Sequence, residues 1–318
     1  MRIFITGADG FIGQHMVERL KGKHELEFLK HDLRDHEKVG FQIRGFDPHI
    51  IVHLAARTEV EQSFYEQVTF SEINYVGTVN LIEIAKDLPN LQNFIFASTM
   101  EVYGWQPISD LIREGRETGI IAFNESTPPN PNAPYAVAKY GCEKYLEYAH
   151  RSYGLPFTAI RQTNAYGRKD NNFFVTEQII YQMLTNAEEI NLGYGEPYRN
   201  FIWIDDLLDA WQAVIENPDK VKGEIFCLGP DNAIKIKDYV GMIAAKIGWK
   251  GHVNWNTKPK RAGEIYLLNS TNQKITSKLG WAPKVGLSEG LDRTIAIWRD
   301  ILENELPFNN NTKFSKGK

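Results

Sequence analysis

Two residues that could move a proton together, Tyr135 and Lys139, lie four positions apart in a segment predicted to form a helix from Tyr135 to Tyr153. That spacing places both side chains on one helix face, about one turn apart. A tyrosine with its ordinary pKa of about 10 is a poor base at neutral pH, but a neighbouring ammonium group favours the tyrosinate. The pair could accept a hydroxyl proton while hydride leaves the same carbon. The alternative is an amphipathic helix that carries the two residues by chance.

A second group of candidates follows the apolar strand predicted at Phe94 to Ala97. Ser98 and Thr99 end this strand, and ligands of open α/β sheets bind outside the carboxyl ends of the strands. A hydroxyl there could hydrogen-bond a reacting oxygen, or it could cap a helix or turn. Glu101 could remove a proton from a carbon beside a new ketone. For Glu101 the alternative is a solvated glutamate at a strand end.

The first twenty residues combine a strand, a glycine turn and a helix. Arg2 to Ile5 is a short, mainly apolar run, and Gly7, Gly10 and Gly13 follow it before a helix that continues to Leu20. In such a turn the glycines permit a tight bend, close approach to a pyrophosphate and packing of helix on strand. The N–H groups of the helix terminus can bind the anion. The segment predicts a dinucleotide site, with an ordinary strand–helix turn as the alternative.

The surrounding elements alternate between strand and helix. Ile50 to Leu54 is a continuous apolar run, as is typical of parallel strands buried on both faces. A helix is predicted at Asn74 to Ala85 and a strand at Phe157 to Arg161, whereas the proline-containing stretch from Trp105 to Pro134 is predicted to be a loop. The alternation predicts an α/β fold, a doubly wound parallel (Rossmann) sheet followed by a smaller C-terminal α/β domain.

Composition narrows the class of protein. The 318 residues are 42% hydrophobic and 24% charged, which is typical of a soluble globular protein, and the net charge of −4 gives no electrostatic case for binding nucleic acid. Cys142 and Cys227 form no CxxC pair, and the eight histidines show no metal-ligand spacing, so no metal site is expected. No apolar run is long enough for a membrane span, and the N-terminus leads directly into a strand. We expect a cytoplasmic enzyme.

Eight segments in order resemble motifs of the extended short-chain dehydrogenase/reductases, the NAD-dependent nucleotide-sugar epimerases and dehydratases. They are Thr6 to Gly13 (TGxxGxxG), His53 to Ala56 (HLAA), Asn74 to Thr78 (NxxGT), Ala97 to Gly104 (SSxxVYG), Pro134 to Lys139 (YxxxK), Arg161 to Gly167 (RxxNxYG), Arg199 to Asp206 (RDFxxVxD) and Leu279 to Lys284 (LGWxPK).

The resemblance implies roles for individual residues. Thr99, Tyr135 and Lys139 would be the catalytic trio, with Glu101 beside them. The cofactor NAD would be bound by Gly7, Gly10, Phe11, Ile12, Gly13, Asp32, Leu33, Leu54, Ala55, Ala56, Asn74, Tyr135 and Lys139. The nucleotide-diphosphate sugar would be bound by Asn164, Arg199 and Arg261. NADP stays open, because Lys30 and His31 stand where the acid that grips the adenosine ribose is expected.

The segment Thr99-Met100-Glu101 bears on the reaction. In the family, 4,6-dehydratases have Thr-Asp-Glu or Thr-Ser-Glu here, so Glu101 favours a dehydratase that oxidises C4 transiently, deprotonates C5 and loses water. Met100 cannot donate a proton, so the usual acid is missing. A 4-epimerase or 4-ketoreductase on the same scaffold is the alternative. A sensor that binds the dinucleotide without turnover is disfavoured by the intact Thr99, Tyr135 and Lys139.

The resemblance also implies a domain division and an assembly. The cofactor domain would comprise 1–165, with 199–222 returning to it, and the nucleotide-sugar domain 166–198 and 223–318. The helices Asn74 to Lys86 and Tyr135 to Tyr153 pair into a four-helix interface in the family, so a homodimer is expected. An apparent insertion, Ile108 to Ile121, would border the sugar pocket.

Overall fold

The computed structural model describes residues 1–169, 171–257 and 263–304. Its strands, in chain order, are β1 Arg2–Thr6, β2 Glu25–Phe28, β3 Ile50–His53, β4 Asn93–Thr99, β5 Phe157–Gln162, β6 Asn164–Tyr166, β7 Glu189–Asn191, β8 Tyr198–Arg199, β9 Phe201–Trp203, β10 Glu224–Leu228, β11 Ile234–Lys235, β12 His252–Asn254 and β13 Leu267–Leu268.

The helices, in chain order, are α1 Phe11–Leu20, α2 His36–Phe46, α3 Val60–Ser63, α4 Gln67–Ser71, α5 Gly77–Ala85, α6 Pro107–Arg113, α7 Pro134–Tyr153, α8 Val175–Thr185, α9 Ile204–Glu216, α10 Pro218–Val221, α11 Ile236–Ile247, α12 Gln273–Leu279 and α13 Leu287–Glu303. A π-helical turn, Glu72–Val76, joins α4 to α5, and a 3₁₀ turn, Met100–Tyr103, follows β4. Within the described residues, no helix combines the length and the apolar character that a bilayer crossing requires.

A six-stranded parallel sheet forms the centre of the fold, in the order β2-β1-β3-β4-β5-β10. The predicted doubly wound sheet is thereby confirmed. All six strands are parallel, but the order in which the chain adds them reverses at β1, because β2 lies on one side of β1 and β3 lies on the other. The carboxyl ends of β1 and β3 therefore flank the switch point, where ligands of such sheets bind.

Helices cover both faces of this sheet, as its continuous apolar strands require. On one face, Ile3, Ile5 and Val52 pack with residues of α1 and α9, and this core continues into α8, α11 and α13. On the other face, Phe94 and Phe96 pack with residues of α2, α5 and α7. Because α7 lies directly on the sheet, the predicted Tyr–Lys helix is held against the end of β4.

Pairing in the second half bears on one segment of the predicted nucleotide-sugar domain, which comprises 166–198 and 223–318. Strand β10 pairs with β5, so residues 224–228 of the second segment lie in the central sheet. Helix α9 packs against α1 as the returning segment should, whereas β9 pairs with β6 outside the central sheet. The remainder of the domain division stays a prediction.

The stretch predicted as a loop from Trp105 to Pro134 contains a helix, α6. Pro107 stands at its first position, where proline is favoured because its missing N–H would be unpaired in any case. Gly104 has φ +52°, and a Cβ there would lie 1.9 Å from the carbonyl oxygen of Asn130. Phe123 is buried with Met100 and Tyr103, so the far end of this stretch closes over the end of β4.

Candidate active site

The glycine turn between β1 and α1 is packed as a phosphate cradle requires. Gly7 has φ +73°, and a Cβ there would lie 2.7 Å from the backbone nitrogen of Ala55, which follows β3. At Gly13 a Cβ would lie 2.0 Å from the carbonyl oxygen of Gly7. Gly10 caps α1 without any side-chain hydrogen bond, so the first N–H groups of the helix, at Phe11 and Ile12, face the turn. At Gly7 and Gly13 any larger residue would force this turn open, and the exposed helix terminus beside it suits a pyrophosphate.

A cavity of about 340 Å³ opens beside this turn. It is lined by Gly7, Ala8, Asp9, Gln14, Val17, Phe28 and Leu29, which join the turn to the end of β2. The end of the second strand is where the adenosine half of a dinucleotide lies in this kind of fold. The turn, the helix terminus and the cavity thus fit a dinucleotide.

The two residues predicted to contact the cofactor after β2 have different surroundings. Asp32 is exposed, and its carboxylate accepts hydrogen bonds from the Arg34 guanidinium at 2.7 and 3.0 Å, which lowers its pKa. Leu33 is buried against α2 and α5. Lys30 forms an ion pair with Glu27 at 2.7 Å, so the charge of its ammonium group is paired with a carboxylate of the chain itself.

A buried histidine, His53, joins the end of β1, just before the glycine turn, to α5. His53 lies between the hydroxyls of Thr6, at 2.7 Å, and Thr78, at 2.8 Å. The hydroxyl of Thr78 donates its proton to the carbonyl oxygen of Asn74, so Thr78 can only accept a hydrogen bond from His53 Nε2. Because Nε2 then carries the proton of the neutral ring, Nδ1 accepts the hydrogen bond of the Thr6 hydroxyl. Burial holds the pKa of His53 well below its usual value, and the charge of Lys139 lowers it further. The imidazole is therefore a neutral bridge.

The loop after β3 is fixed by Asn74 in the π-helical turn. Its side-chain oxygen accepts from the backbone nitrogen of Arg57 and its amide donates to the carbonyl of Arg57, both at 2.8 Å. Leu54, Ala55 and Ala56 lie in this loop, half-buried beside the glycine turn. By fixing the backbone of Arg57, Asn74 positions the loop that contains Leu54, Ala55 and Ala56, which are predicted to contact the cofactor.

Tyr135, Thr99 and Glu101 come together at the end of β4. Thr99 Oγ1 accepts from the Glu101 backbone nitrogen at 3.2 Å, which caps the 3₁₀ turn. Burial raises the pKa of Tyr135, and the negative charge of Glu101 raises it further; the hydroxyl of Thr99, in hydrogen-bond contact with the phenol, opposes the rise. A smaller contribution comes from Glu59, a buried carboxylate in the loop after β3.

Lys139 is buried one turn beyond Tyr135 on α7. Its Nζ donates to the carbonyl oxygen of Ala97 at 2.7 Å and lies 4.7 Å from the centroid of the Phe96 ring. Burial lowers the pKa of Lys139 to about 8. The predicted pair shares a helix face as expected, but the ammonium group is held by the sheet and the phenol is surrounded by carboxylates.

The neighbours of Thr99 in sequence point away from this cluster. Ser98 donates to Glu143, which forms a buried ion pair with Arg161 at 2.7 Å. Met100 is 2% exposed, and its sulfur accepts from the hydroxyl of Thr163 at 2.8 Å. Of the two hydroxyls at the strand end, Thr99 therefore belongs to the site and Ser98 to the contact between α7 and the sheet.

The residues predicted to bind the sugar nucleotide lie on separate elements. The Asn164 amide donates to the carbonyl of Asn200 at 3.0 Å, and Arg199 lies 3.3 Å from Glu264 while donating to the carbonyl of Ile265. Arg261 lies outside the described residues. Their contact with substrate stays a prediction.

The motifs did not reveal Glu59 or the His53 bridge as parts of the site. Glu59 stands three residues past the HLAA segment and has no motif of its own. Its position in the sequence could have indicated it, because Glu59 follows a buried strand, β3, that is adjacent to β4. The carboxyl ends of adjacent parallel strands lie together.

The parallel sheet, the glycine cradle at its switch point and the buried Tyr–Lys helix define a dinucleotide-dependent α/β enzyme. Residues 3–229 match the model of the NAD dependent epimerase/dehydratase family. The chain belongs to this family, and its cofactor is NAD or the related NADP.

Proteins similar along nearly the whole chain include both reaction types of the family. A putative UDP-glucose 4-epimerase of Methanocaldococcus jannaschii is 28% identical, with 92% of this chain and 97% of the relative covered. The structure of a UDP-glucose 4-epimerase from Thermotoga maritima with UDP-glucose superposes with a TM-score of 0.83 at 28% identity, covering 95% of this chain and 100% of the other. The dTDP-glucose 4,6-dehydratase DesIV of Streptomyces venezuelae, with NAD bound, gives 0.82 at 25% identity, covering 97% and 100%.

Proposed function

We propose that the protein is an NAD-dependent nucleotide-sugar dehydratase that acts by transient oxidation at C4. The observation that carries the proposal is the position of Glu101 in the 3₁₀ turn that Thr99 caps at the end of β4, where its negative charge raises the pKa of Tyr135. A carboxylate beside Tyr135, the group that would deprotonate the C4 hydroxyl, is suited to remove a proton from the adjacent carbon, C5. A 4-epimerase needs no such base, because it exchanges hydride at C4 alone.

The first step needs a group that takes the proton of the C4 hydroxyl. Tyr135 supplies the phenol, and Thr99 shares the hydrogen bond at the reacting oxygen. When bound, NAD would accept the hydride from C4 and, once reduced, would return it to C6. The cationic oxidised ring also favours the tyrosinate, which offsets the rise that burial causes in the pKa of Tyr135.

The second step uses the acidity that the C4 ketone gives to C5. Glu101 removes the C5 proton, and the C6 hydroxyl then leaves as water. Reduction at C6 and return of the proton to C5 complete a 4-keto-6-deoxy sugar. Asn164 is proposed to contact the sugar nucleotide, and Arg199 and Arg261 are proposed to hold its diphosphate.

A 4-epimerase is the second candidate, and Met100 favours it. Its side chain is buried with its sulfur bonded to Thr163, so it neither donates a proton nor faces the site. An enzyme without an acid for the leaving hydroxyl would return hydride to C4 on the other face.

Replacement of Glu101 by glutamine tests the proposal. In heavy water, the wild type should convert a suitable nucleotide sugar from a panel into a dehydrated product labelled at C5. Glu101→Gln should still oxidise C4, seen as reduced-cofactor absorbance, while C5 labelling and water loss fall by a factor on the order of 10² or more. Glu37→Gln, an exposed carboxylate in the first turn of α2, is the matched control. Normal dehydration by the Glu101 variant would contradict the assignment.

A further inference from the structure

Elimination of water requires a proton for the leaving C6 hydroxyl, and Met100 provides none. We propose that Glu59, in the loop after β3, is the acid that protonates this hydroxyl. The inference rests on the proposed dehydratase function and assigns its missing proton donor.

Glu59 is placed at the same edge of the sheet as the catalytic cluster. It follows β3, which pairs with β4 in the sheet, and it caps α3, which packs against α7. Because β3 and β4 are adjacent and parallel, the residues that follow them lie side by side. Glu59 therefore reaches the site from one strand end and Glu101 from the next.

The Glu59 carboxylate is buried but only partly used. The residue is 8% exposed. One oxygen, Oε2, accepts from the backbone nitrogen of Thr58 at 3.0 Å and lies 4.0 Å from Nε of Arg57. The other oxygen, Oε1, makes no hydrogen bond or ion pair with any residue in the described part of the chain. Oε1 is not one of the described side-chain atoms that are fully buried without a partner, so it is reached from solvent and is open to a substrate hydroxyl.

The arm that bears Glu59 is rigid. Asn74 fixes the Arg57 backbone two residues earlier, and the Arg57 guanidinium forms an ion pair with Glu66 and lies 4.5 Å from the ring centroid of Phe70. At the other end of α3, Phe64 lies against Gly263. The carboxylate thus lies on a segment that is held at both ends, beside the loop that follows β3.

The proton balance closes with this assignment. Tyr135 takes the O4 proton, and an equivalent proton reaches the open oxygen of Glu59 through solvent. Glu101 takes the C5 proton, the C6–O bond breaks, and Glu59 gives its proton to the departing oxygen, which leaves as water. Glu101 then returns a proton to C5 as C6 is reduced. Tyr135, Glu59 and Glu101 all end in their starting states.

The test is the split between proton exchange and water loss in Glu59→Gln. With a nucleotide sugar that the wild type dehydrates, incubated in heavy water, the variant should still oxidise C4 and exchange deuterium into C5 of recovered substrate. Loss of water should slow by a factor on the order of 10² or more. Glu37→Gln, exposed in the first turn of α2, should behave as the wild type. Glutamine retains an oxygen for the Thr58 bond, and circular dichroism checks the fold.

The possible results separate the two proposals. Near-normal water loss by Glu59→Gln overturns the role of Glu59 and leaves the dehydratase intact. Parallel loss of exchange and water loss also overturns it, because a merely structural defect would affect both. A wild type that gives only a C4 epimer overturns the proposed function itself.

Discussion

At the scale of single residues, the buried ammonium of Lys139 carries a measurable consequence. Its side chain is 2% exposed, and burial lowers its pKa to about 8 in the folded chain. In the unfolded chain the pKa of lysine is about 10.4. Between these two values the unfolded chain binds more protons than the folded chain, so this group makes stability rise with pH.

We expect that rise to disappear in Lys139→Met. For protein stripped of cofactor, urea unfolding between about pH 8 and pH 10 should show the wild type gaining roughly 1–3 kcal/mol relative to the variant. The comparison is needed because the buried thiols Cys142 and Cys227, whose pKa values burial raises to about 12, act in the opposite direction in both proteins. Equal pH dependence in the two proteins would show that the Lys139 ammonium is not buried.

Residue types at motif spacing predicted that Tyr135, Thr99 and Glu101 lie close together, but not the surroundings of this cluster. Tyr135, Thr99 and Glu101 were found because a helix period and a strand end bring them together regardless of packing detail. The different directions of Ser98, Thr99 and Met100 depend on partners more than forty residues away, Glu143 and Thr163, which no local pattern shows. Glu59 was not predicted either, because its place near this cluster depends on the packing of α3 against α7.

At the scale of elements, the β1–α1 turn shows how close packing and binding coincide. Gly7, Gly10 and Gly13 have different constraints: Gly7 needs positive φ, Gly13 needs the absence of a Cβ, and Gly10 caps the helix. The predicted roles of the first and third agree with these contacts. In contrast, α6 was not predicted, because the five prolines between Trp105 and Pro134 indicated a loop. One of them, Pro107, is the first residue of this helix.

Replacement of Gly13 by alanine should weaken cofactor binding. The new Cβ would meet backbone atoms of Gly7 and Ala8, so the turn must open. We expect the affinity for NAD to fall at least tenfold, about 1.4 kcal/mol, when measured by calorimetry. In Gly45→Ala, where the Cβ meets no atom within 4 Å, affinity should be unchanged. Wild-type affinity in the Gly13 variant would mean that the dinucleotide does not use this turn.

At the scale of the whole molecule, the outer surface formed by α4, the π-helical turn Glu72–Val76 and α7 carries several exposed apolar side chains. Exposed apolar side chains there include Val68, Tyr75, Val76, Val137, Tyr148 and Tyr153. The helices pack against one another on one face of the sheet, so these side chains are available to a second copy. The predicted homodimer would cover them.

Light scattering at micromolar concentration should give twice the 36.4 kDa of one chain. Val76→Lys should shift the mass towards the monomer, because a buried unpaired charge opposes association. Phe41→Lys, at an exposed aromatic on α2, should leave the mass unchanged. A monomeric wild type would contradict the dimer.

The central claim, dehydration through a C5 carbanion formed by Glu101, is tested most directly by the product of the wild type in heavy water. Mass spectrometry and NMR of the reaction with the accepted nucleotide sugar should show loss of one water and deuterium at C5. A product of unchanged elemental composition, inverted at C4 and unlabelled at C5, would contradict the account.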